Sequence, residues 1–258
     1  MNDLNGKIVL VTGIANKRSI AYAVAEDLVA QGARIAIAYL PLERDNAEDK
    51  IKKVTQDLRP ELLLPMDVAR QETVDAAFAA IRSTFGRLDA VLHSLANSKR
   101  EELGGRHSEI SEAGFLLAQQ VSAYSLISLT RAARPLMAAD GGSIVAMTYI
   151  GSVRACHNYN VMGPAKAALE SNVRYLAMEL GPEKIRVNAI SAGPIRTLSA
   201  SGIKDFLDLL HNAAEHNALK RNITLEEVAH TATFLAGARS SGITGQVIYV
   251  DGGYNIHG

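Results

Sequence analysis

The stretch YNVMGPAK, residues 159 to 166, sets a phenol and an amine seven positions apart. A free phenol titrates at about pH 10, too high for a good acid at neutrality. A nearby ammonium favours the phenolate and lowers that value. Tyr159 beside Lys166 could therefore donate a hydrogen bond or a proton to an oxygen on which negative charge develops. A lysine can also hold a ribose hydroxyl. The same pair could do no chemistry, as a tyrosine packed at a helix entrance and a solvated lysine. Tyr149, ten residues upstream, is a second phenol, or else a half-buried aromatic at a strand end.

A helix must position this pair. It turns about 100° per residue, so positions seven apart return to nearly the same face. Pro164 limits where that helix begins, because proline is tolerated only in a first turn. The helix is expected to start near Asn160, with Tyr159 at its mouth and Lys166 in its second turn.

A second candidate lies near the N-terminus, where VTGIANKRSIAYAVA follows an apolar run and opens a helical one. Dinucleotide folds hold pyrophosphate at such a turn, on backbone N–H groups and the positive end of a helix. The three-glycine form G-x-G-x-x-G is absent, and Gly13 stands alone. The loop still offers a tight turn at Gly13, a hydroxyl at Ser19, close backbone at Ile20 and Ala21, and positive charge at Lys17 and Arg18. A plain strand-to-helix turn with a serine cap would read the same way. Ligands in open α/β sheets bind beyond the carboxyl ends of strands. There the chain presents Tyr39 and Leu40, Asp67 and Val68, and Ser94 to Ala96. Asp67 could accept from an adenine amino group or cap a turn. Ser94 to Ala96 are small enough for close backbone approach, or simply pack.

Seven apolar runs read as buried strands: 7–13, 33–39, 61–67, 88–96, 142–148, 185–191 and 246–252. Their nearly continuous hydrophobicity fits strands covered by helices on both faces. Helical spacing occupies Ile20–Gln31, Glu72–Phe85, Glu112–Met137 and Val161–Leu180. This alternation predicts a doubly wound, Rossmann-type α/β fold with a seven-stranded parallel sheet and right-handed crossovers. No repeat or linker divides the chain, so one domain over residues 1–258 is expected. Residues 197–219, rich in Ser, Ala, His and Asn, sit where a lid would cover a ligand.

Lys plus Arg equals Asp plus Glu, 27 each, which points away from nucleic acid and membrane surfaces as partners. No apolar run approaches the roughly 20 residues that span a bilayer. The single cysteine, Cys156, excludes an intrachain disulfide and fits a reducing compartment. The N-terminal residues show no signal-peptide pattern, so a cytoplasmic protein is expected. No sequence signal supplies a base for Cys156. The spacing of His93, His107, His157, His211 and His216 suggests no metal site.

Taken together, the Gly13 turn, Asp67-Val68, YNVMGPAK and IRVNAISAGPIRTLSA resemble the bacterial enoyl-[acyl-carrier-protein] reductases, a divergent type of short-chain dehydrogenase/reductase. The similarity runs from LNGKIVLVTGIANKRSIA to SSGITGQVIYVDGGY. Ordinary short-chain dehydrogenases have lysine four residues after tyrosine. Here that position is Gly163, and the lysine comes at seven. The resemblance implies reduction of the trans-2 double bond of an enoyl thioester on acyl carrier protein, in fatty acid biosynthesis. NADH is the implied reductant; Leu40 is neither acidic nor basic, while Lys17, Arg18 and Arg44 leave NADPH open. Hydride would go to the β-carbon, and Tyr159 would stabilise the enolate. Gly13, Ser19 and Ile20 would hold the pyrophosphate side, Leu40 would follow the second strand at the adenosine end, and Asp67 and Val68 would meet adenine. Leu95 would line the nicotinamide-ribose region and Lys166 would hold that ribose. Ile195, Thr197 and Ser199 would contact nicotinamide and phosphates. Tyr149 and Ser98 would flank the substrate. A homotetramer is also implied. The chain departs from the pattern at Asn97 and Ser98, where relatives tend to carry Phe and Ala, and at His157 and Pro164. Two other readings stay open: a carbonyl or alcohol dehydrogenase on the same fold, and a cofactor-binding protein without catalysis.

Overall fold

The computed structural model describes residues 3–41, 46–137, 139–197 and 205–256. Each of the seven apolar runs forms a strand: β1 (Ile8–Thr12), β2 (Arg34–Tyr39), β3 (Leu62–Pro65), β4 (Ala90–His93), β5 (Gly142–Thr148), β6 (Ile185–Ala192) and β7 (Val247–Val250). They make one parallel sheet in the order β3-β2-β1-β4-β5-β6-β7. The chain therefore leaves β1 in one direction and returns on its other side at β4. That reversal opens a crevice at the carboxyl ends of these two strands, where ligands of doubly wound sheets bind.

Residues alternate across the sheet, and the two faces bury separate cores. Ile8 and Leu10 of β1 pack on one face, Val9 and Val11 on the other. The first core is closed by α3 (Gln71–Phe85), α5 (Ser125–Met137) and α6 (Met162–Leu180), through Phe78, Leu129 and Val173 among others. The second is closed by α1 (Ile20–Ala30) and α8 (Leu225–Ala236), through Leu28 and Val228. This two-sided burial is why the strands are apolar at successive positions.

Three helices fall outside the segments read as helical. In α2 (Ala47–Thr55), charged residues dominate and only Ile51 and Thr55 are buried, so its apolar period is short. α7 (Phe206–His216) lies inside the expected lid, whose residues 198–204 are outside the described residues. α8 begins at a capping box, a start signal legible as T-L-E-E. The expected helix over 112–137 is interrupted. α4 (Glu112–Gln119) passes through a π turn at Gln120–Tyr124 into α5. A π turn widens the backbone ring and frees carbonyl groups. Here the Asn172 amide donates to the Ala123 carbonyl, and the Ser125 hydroxyl donates to the Val121 carbonyl.

At the start of α8, Thr224 Oγ1 accepts from the Glu227 amide at 3.2 Å, and a Glu227 carboxylate oxygen accepts from the Thr224 amide at 2.9 Å. Arg221, with help from the Thr224 amide, holds the Glu227 carboxyl down at about 2. Replacing the cap by Thr224→Ala is expected to cost about 1 kcal/mol of stability in equilibrium urea unfolding. An unchanged unfolding midpoint and slope would show that the cap contributes nothing here.

Candidate functional site

A cleft of about 710 Å³ opens over the carboxyl ends of the strands. Its first wall is the turn after β1. Gly13 has φ +88°, and a Cβ there would lie 1.9 Å from the Ser94 carbonyl oxygen. Only glycine lets β1 and the end of β4 approach this closely. Thr12 secures the same approach, its hydroxyl donating to the Leu92 carbonyl at 2.9 Å and accepting from the Ser94 amide at 3.2 Å.

Ser19 does not cap α1 forward along the helix. Its Oγ reaches back and accepts from the amides of Ala15 and Asn16, both at 3.1 Å. That fold-back shapes the loop and leaves the first amides of α1, at Ile20 and Ala21, without intrahelical acceptors. These amides and the positive helix end suit an anion. The Lys17 ammonium, counted above as charge for this loop, is paired with Asp57 instead.

Leu40, Asp67, Val68 and Leu95 all line the cleft, as do Thr197, Tyr149, Tyr159 and Lys166. Asp67 also caps its turn, accepting from the Ala69 amide at 3.0 Å. Ser98 and Ile195 are not among the described residues of the cleft wall. Ile195 is half-buried and packs against the second core. Ser199, and Arg44 with it, lie outside the described residues.

Lys166 is the most constrained of these groups. It is 4% exposed, and its ammonium donates to the Met147 carbonyl at 2.8 Å and the Leu95 carbonyl at 3.5 Å. These carbonyls belong to the end of β5 and to the loop just after β4, so the lysine ties α6 to both. Burial lowers its titration to about 8, while Glu170, one turn along α6, opposes that shift. His93 lies fully buried near the lysine. Burial first, and the Lys166 charge second, hold the imidazole neutral, down at about 3. Its Nε2 is 2.7 Å from Ser125 Oγ.

The helix carrying the pair begins at Met162, which puts Pro164 in its first turn and Lys166 in its second. Tyr159 sits just before it, in a segment that two asparagines hold. Asn158 adopts φ +58°, a conformation asparagine tolerates better than most residues. The Asn160 side-chain amide donates to the carbonyls of Gly104 and Gly105, each at 3.0 Å. The Tyr159 and Tyr149 rings meet edge to face, with centroids 4.9 Å apart. Both rings lie on Gly151, where a Cβ would come within 2.6 Å of Tyr159 Cδ1. Burial pushes the Tyr159 phenol well above its ordinary value, with the Cys156 thiol adding to it. This corrects the expectation that Lys166 lowers it: burial is the main cause and the ammonium is not among the groups that shift the phenol, so Tyr159 stands as a neutral hydrogen-bond donor. Tyr149 is raised too, first by burial and then by Cys156, its hydrogen-bonding partner.

A family model described as enoyl-(acyl carrier protein) reductase matches residues 13–255. The chain belongs to the enoyl-(acyl carrier protein) reductase family. Enoyl-[acyl-carrier-protein] reductase [NADH] of a Nostoc species is 52% identical over the whole of both chains. The enzyme of Staphylococcus aureus described as [NADPH] is 48% identical, over 99% of each chain. The Bacillus cereus enoyl-acyl carrier protein reductase, solved with NADP+ and an indole naphthyridinone, is 43% identical with a TM-score of 0.95 over the full length of both chains. The Anaplasma phagocytophilum enzyme, solved with NAD, is 40% identical with a TM-score of 0.94, covering 99% of this chain and 96% of that one.

In this reductase a second cavity, of about 440 Å³, adjoins the cleft at Tyr149. Ile150, Cys156, Pro194, Leu209 and Ala213 give it apolar wall, and Asp205 and Asp208 give it acidic wall. Sequence reasoning missed several wall residues. Lys50, Ile51 and Val54 line the main cleft because α2 folds over it, and Val121 does so from the π turn. Ile51 and Val54 at i, i+3 were the available signal for α2. Nothing local announces a π turn.

Gly13→Ala is expected to cost about 2 kcal/mol or more, because it adds both left-handed strain and a clash with main chain. Differential scanning calorimetry checks this, and a wild-type melting temperature would mean the turn can relax away from Ser94.

Proposed function

We propose that this protein reduces the trans-2 double bond of enoyl-acyl-carrier-protein thioesters with NADH, in fatty acid biosynthesis. The observation that carries the reading is that Tyr159, the buried Lys166 and the Gly13 turn all line one cleft. The cleft fits a dinucleotide on its own features. The Gly13 turn lies too close to the Ser94 main chain for a side chain, the first amides of α1 suit an anion, and the volume of about 710 Å³ suits an extended ligand.

Gly13, Ser19 and Ile20 would form the pyrophosphate wall, and Leu40, Asp67 and Val68 the adenosine end. Lys166 would hold the nicotinamide ribose beside Leu95. Ile195, Thr197 and Ser199 would complete the nicotinamide side. The bound dinucleotide supplies the hydride that reaches the β-carbon of the enoyl thioester. As the thioester oxygen gains charge, the neutral Tyr159 hydroxyl donates to it. Protonation at the α-carbon completes the reduction. Tyr149 and Ser98 would flank the substrate, and the second cavity beyond Tyr149 gives an acyl chain somewhere to go. With Lys17 engaged by Asp57 and no acid or base at Leu40, NADH is favoured over NADPH. A carbonyl or alcohol dehydrogenase is the weaker reading, because the lysine comes seven residues after the tyrosine.

We further propose one domain over residues 1–258, with residues 197–219 as the segment that covers substrate, working in the cytoplasm as a homotetramer. No helix of the described residues is long and apolar enough to cross a membrane. Tyr175 and Met178 on α6 are 77% and 84% exposed, and Leu116 on neighbouring α4 is also exposed. Such a face suits another copy of the chain.

The test follows the absorbance of reduced nicotinamide with crotonyl thioester, NADH or NADPH, and ketones as controls. Oxidation of NADH with the thioester alone is expected; turnover only with ketones would refute the reading. Tyr159→Phe should lower turnover about 100-fold or more at nearly unchanged NADH affinity. Lys166→Ala should weaken NADH binding about 10-fold or more. A Tyr159→Phe enzyme at full speed would remove the tyrosine from the chemistry.

A further inference from the structure

Lys166 raises a question that the reaction does not answer. An ammonium is costly to bury, and a buried lysine tends to lose its proton. Lys166 is 4% exposed and donates to two main-chain carbonyls, which carry no formal charge. One helical turn further along α6, on the same face, lies Glu170, itself only 5% exposed. A buried carboxylate is as costly as a buried ammonium. It is held in place from β5, where the Thr148 hydroxyl donates to Glu170 Oε1 at 2.7 Å. Thr148 follows Met147, whose carbonyl receives the lysine. Two adjacent residues at the end of β5 thus hold the lysine and the glutamate, which stand one turn apart on α6.

We propose that Glu170, anchored by Thr148, is the charge-compensating and positioning residue for Lys166, and that it keeps the ribose-holding group an ammonium inside the buried cleft floor. This rests on the reading of Lys166 as the group that holds the cofactor's ribose. Glu170 itself touches neither the thioester nor the reacting atoms in this account; it acts through the lysine.

Other groups near the pair do not supply this charge. His93 on β4 is buried and neutral, and a protonated imidazole there would repel the lysine. Tyr149 and Tyr159 are held protonated by burial, and the Cys156 thiol is raised by burial too. Tyr249 on β7 faces Glu170 and is itself raised, first by burial and then by the Glu170 and Asp251 charges, with Arg154 opposing. Asp251 is engaged by the amides of Gly253 and Asn255 at the end of β7. The burial of Lys166 lowers its titration to about 8, and Glu170 pulls it upward. The lysine is charged below its midpoint and neutral above it. Removing the Glu170 charge moves that midpoint down, so the ammonium is lost at lower pH.

The experiment uses the whole chain carrying isotope-labelled lysine. Side-chain NMR follows the Lys166 titration without cofactor, with its resonance identified by its loss in Lys166→Arg. Calorimetric titration with NADH over the same pH range reads binding. Glu170→Gln is expected to lower the Lys166 midpoint by about one unit or more. NADH affinity at the wild-type midpoint should then fall roughly fivefold, while Glu170→Asp restores most of it. Should Glu170→Gln not fold, Thr148→Val frees the carboxylate and gives a smaller shift in the same direction. A Lys166 midpoint that stays put in whichever variant folds overturns the proposal. A midpoint that moves while NADH affinity ignores it overturns the role assigned to Glu170 in cofactor binding and points to a failure of the ribose reading of Lys166, with the charge coupling intact.

Discussion

A buried positive charge at the floor of the cleft is the constraint around which the site is arranged. Lys166 reaches the carbonyls at the end of β5 and just after β4, and so fixes how α6 lies against the sheet. Because α6 carries Lys166 in its second turn, that placement also sets where the preceding residue Tyr159 emerges. The seven-residue interval thus spans the turn before α6 and that helix's first turns, measured from an anchor in the sheet. Burial has opposite electrostatic effects on the two groups. It makes the lysine easier to deprotonate and the tyrosine harder, and both shifts favour the neutral form. A neutral phenol is a donor at neutral pH, which suits an oxygen that gains charge only during reaction. A neutral lysine would hold a sugar less well, which is why a nearby carboxylate matters.

Close approach of main chains is the second organising feature. The cleft exists because the chain reverses direction across β1 and β4, and its depth depends on how tightly those strands' ends come together. Gly13 against the Ser94 carbonyl, and Thr12 bonded to both sides of the β4 end, supply that tightness. Gly151 does the same for the aromatic pair, since two rings lie where a side chain would stand. The π turn adds to the same wall. Ser122 within it accepts from the Asn97 amide at 3.1 Å and so pins the loop after β4.

Membership of the enoyl-(acyl carrier protein) reductase family is consistent with all of these features. Relatives of this chain include enzymes named for NADH and enzymes named for NADPH at nearly equal identity. Overall similarity therefore does not choose the cofactor, and local charge must. Around the adenosine end that charge is modest. Lys17 is neutralised by Asp57, Leu40 is apolar, and Lys50 reaches the wall from α2.

The sequence by itself determined the seven strands and their parallel, doubly wound arrangement. Strands buried on both faces must be apolar at consecutive positions, and that signal is local. It also determined the tyrosine–lysine pair and the turn at Gly13, because spacing along a helix and freedom at a glycine need no knowledge of the rest of the chain. Only the tertiary structure decided the charge states. The Tyr159 phenol is raised because of what buries it, and Lys17 is spent on Asp57, a residue 40 positions away. Only folding could also show that Ser19 turns back to its own loop and that α2 lines the cleft. Desolvation and ion pairing depend on atoms brought together from distant segments, and one-dimensional spacing carries no record of them.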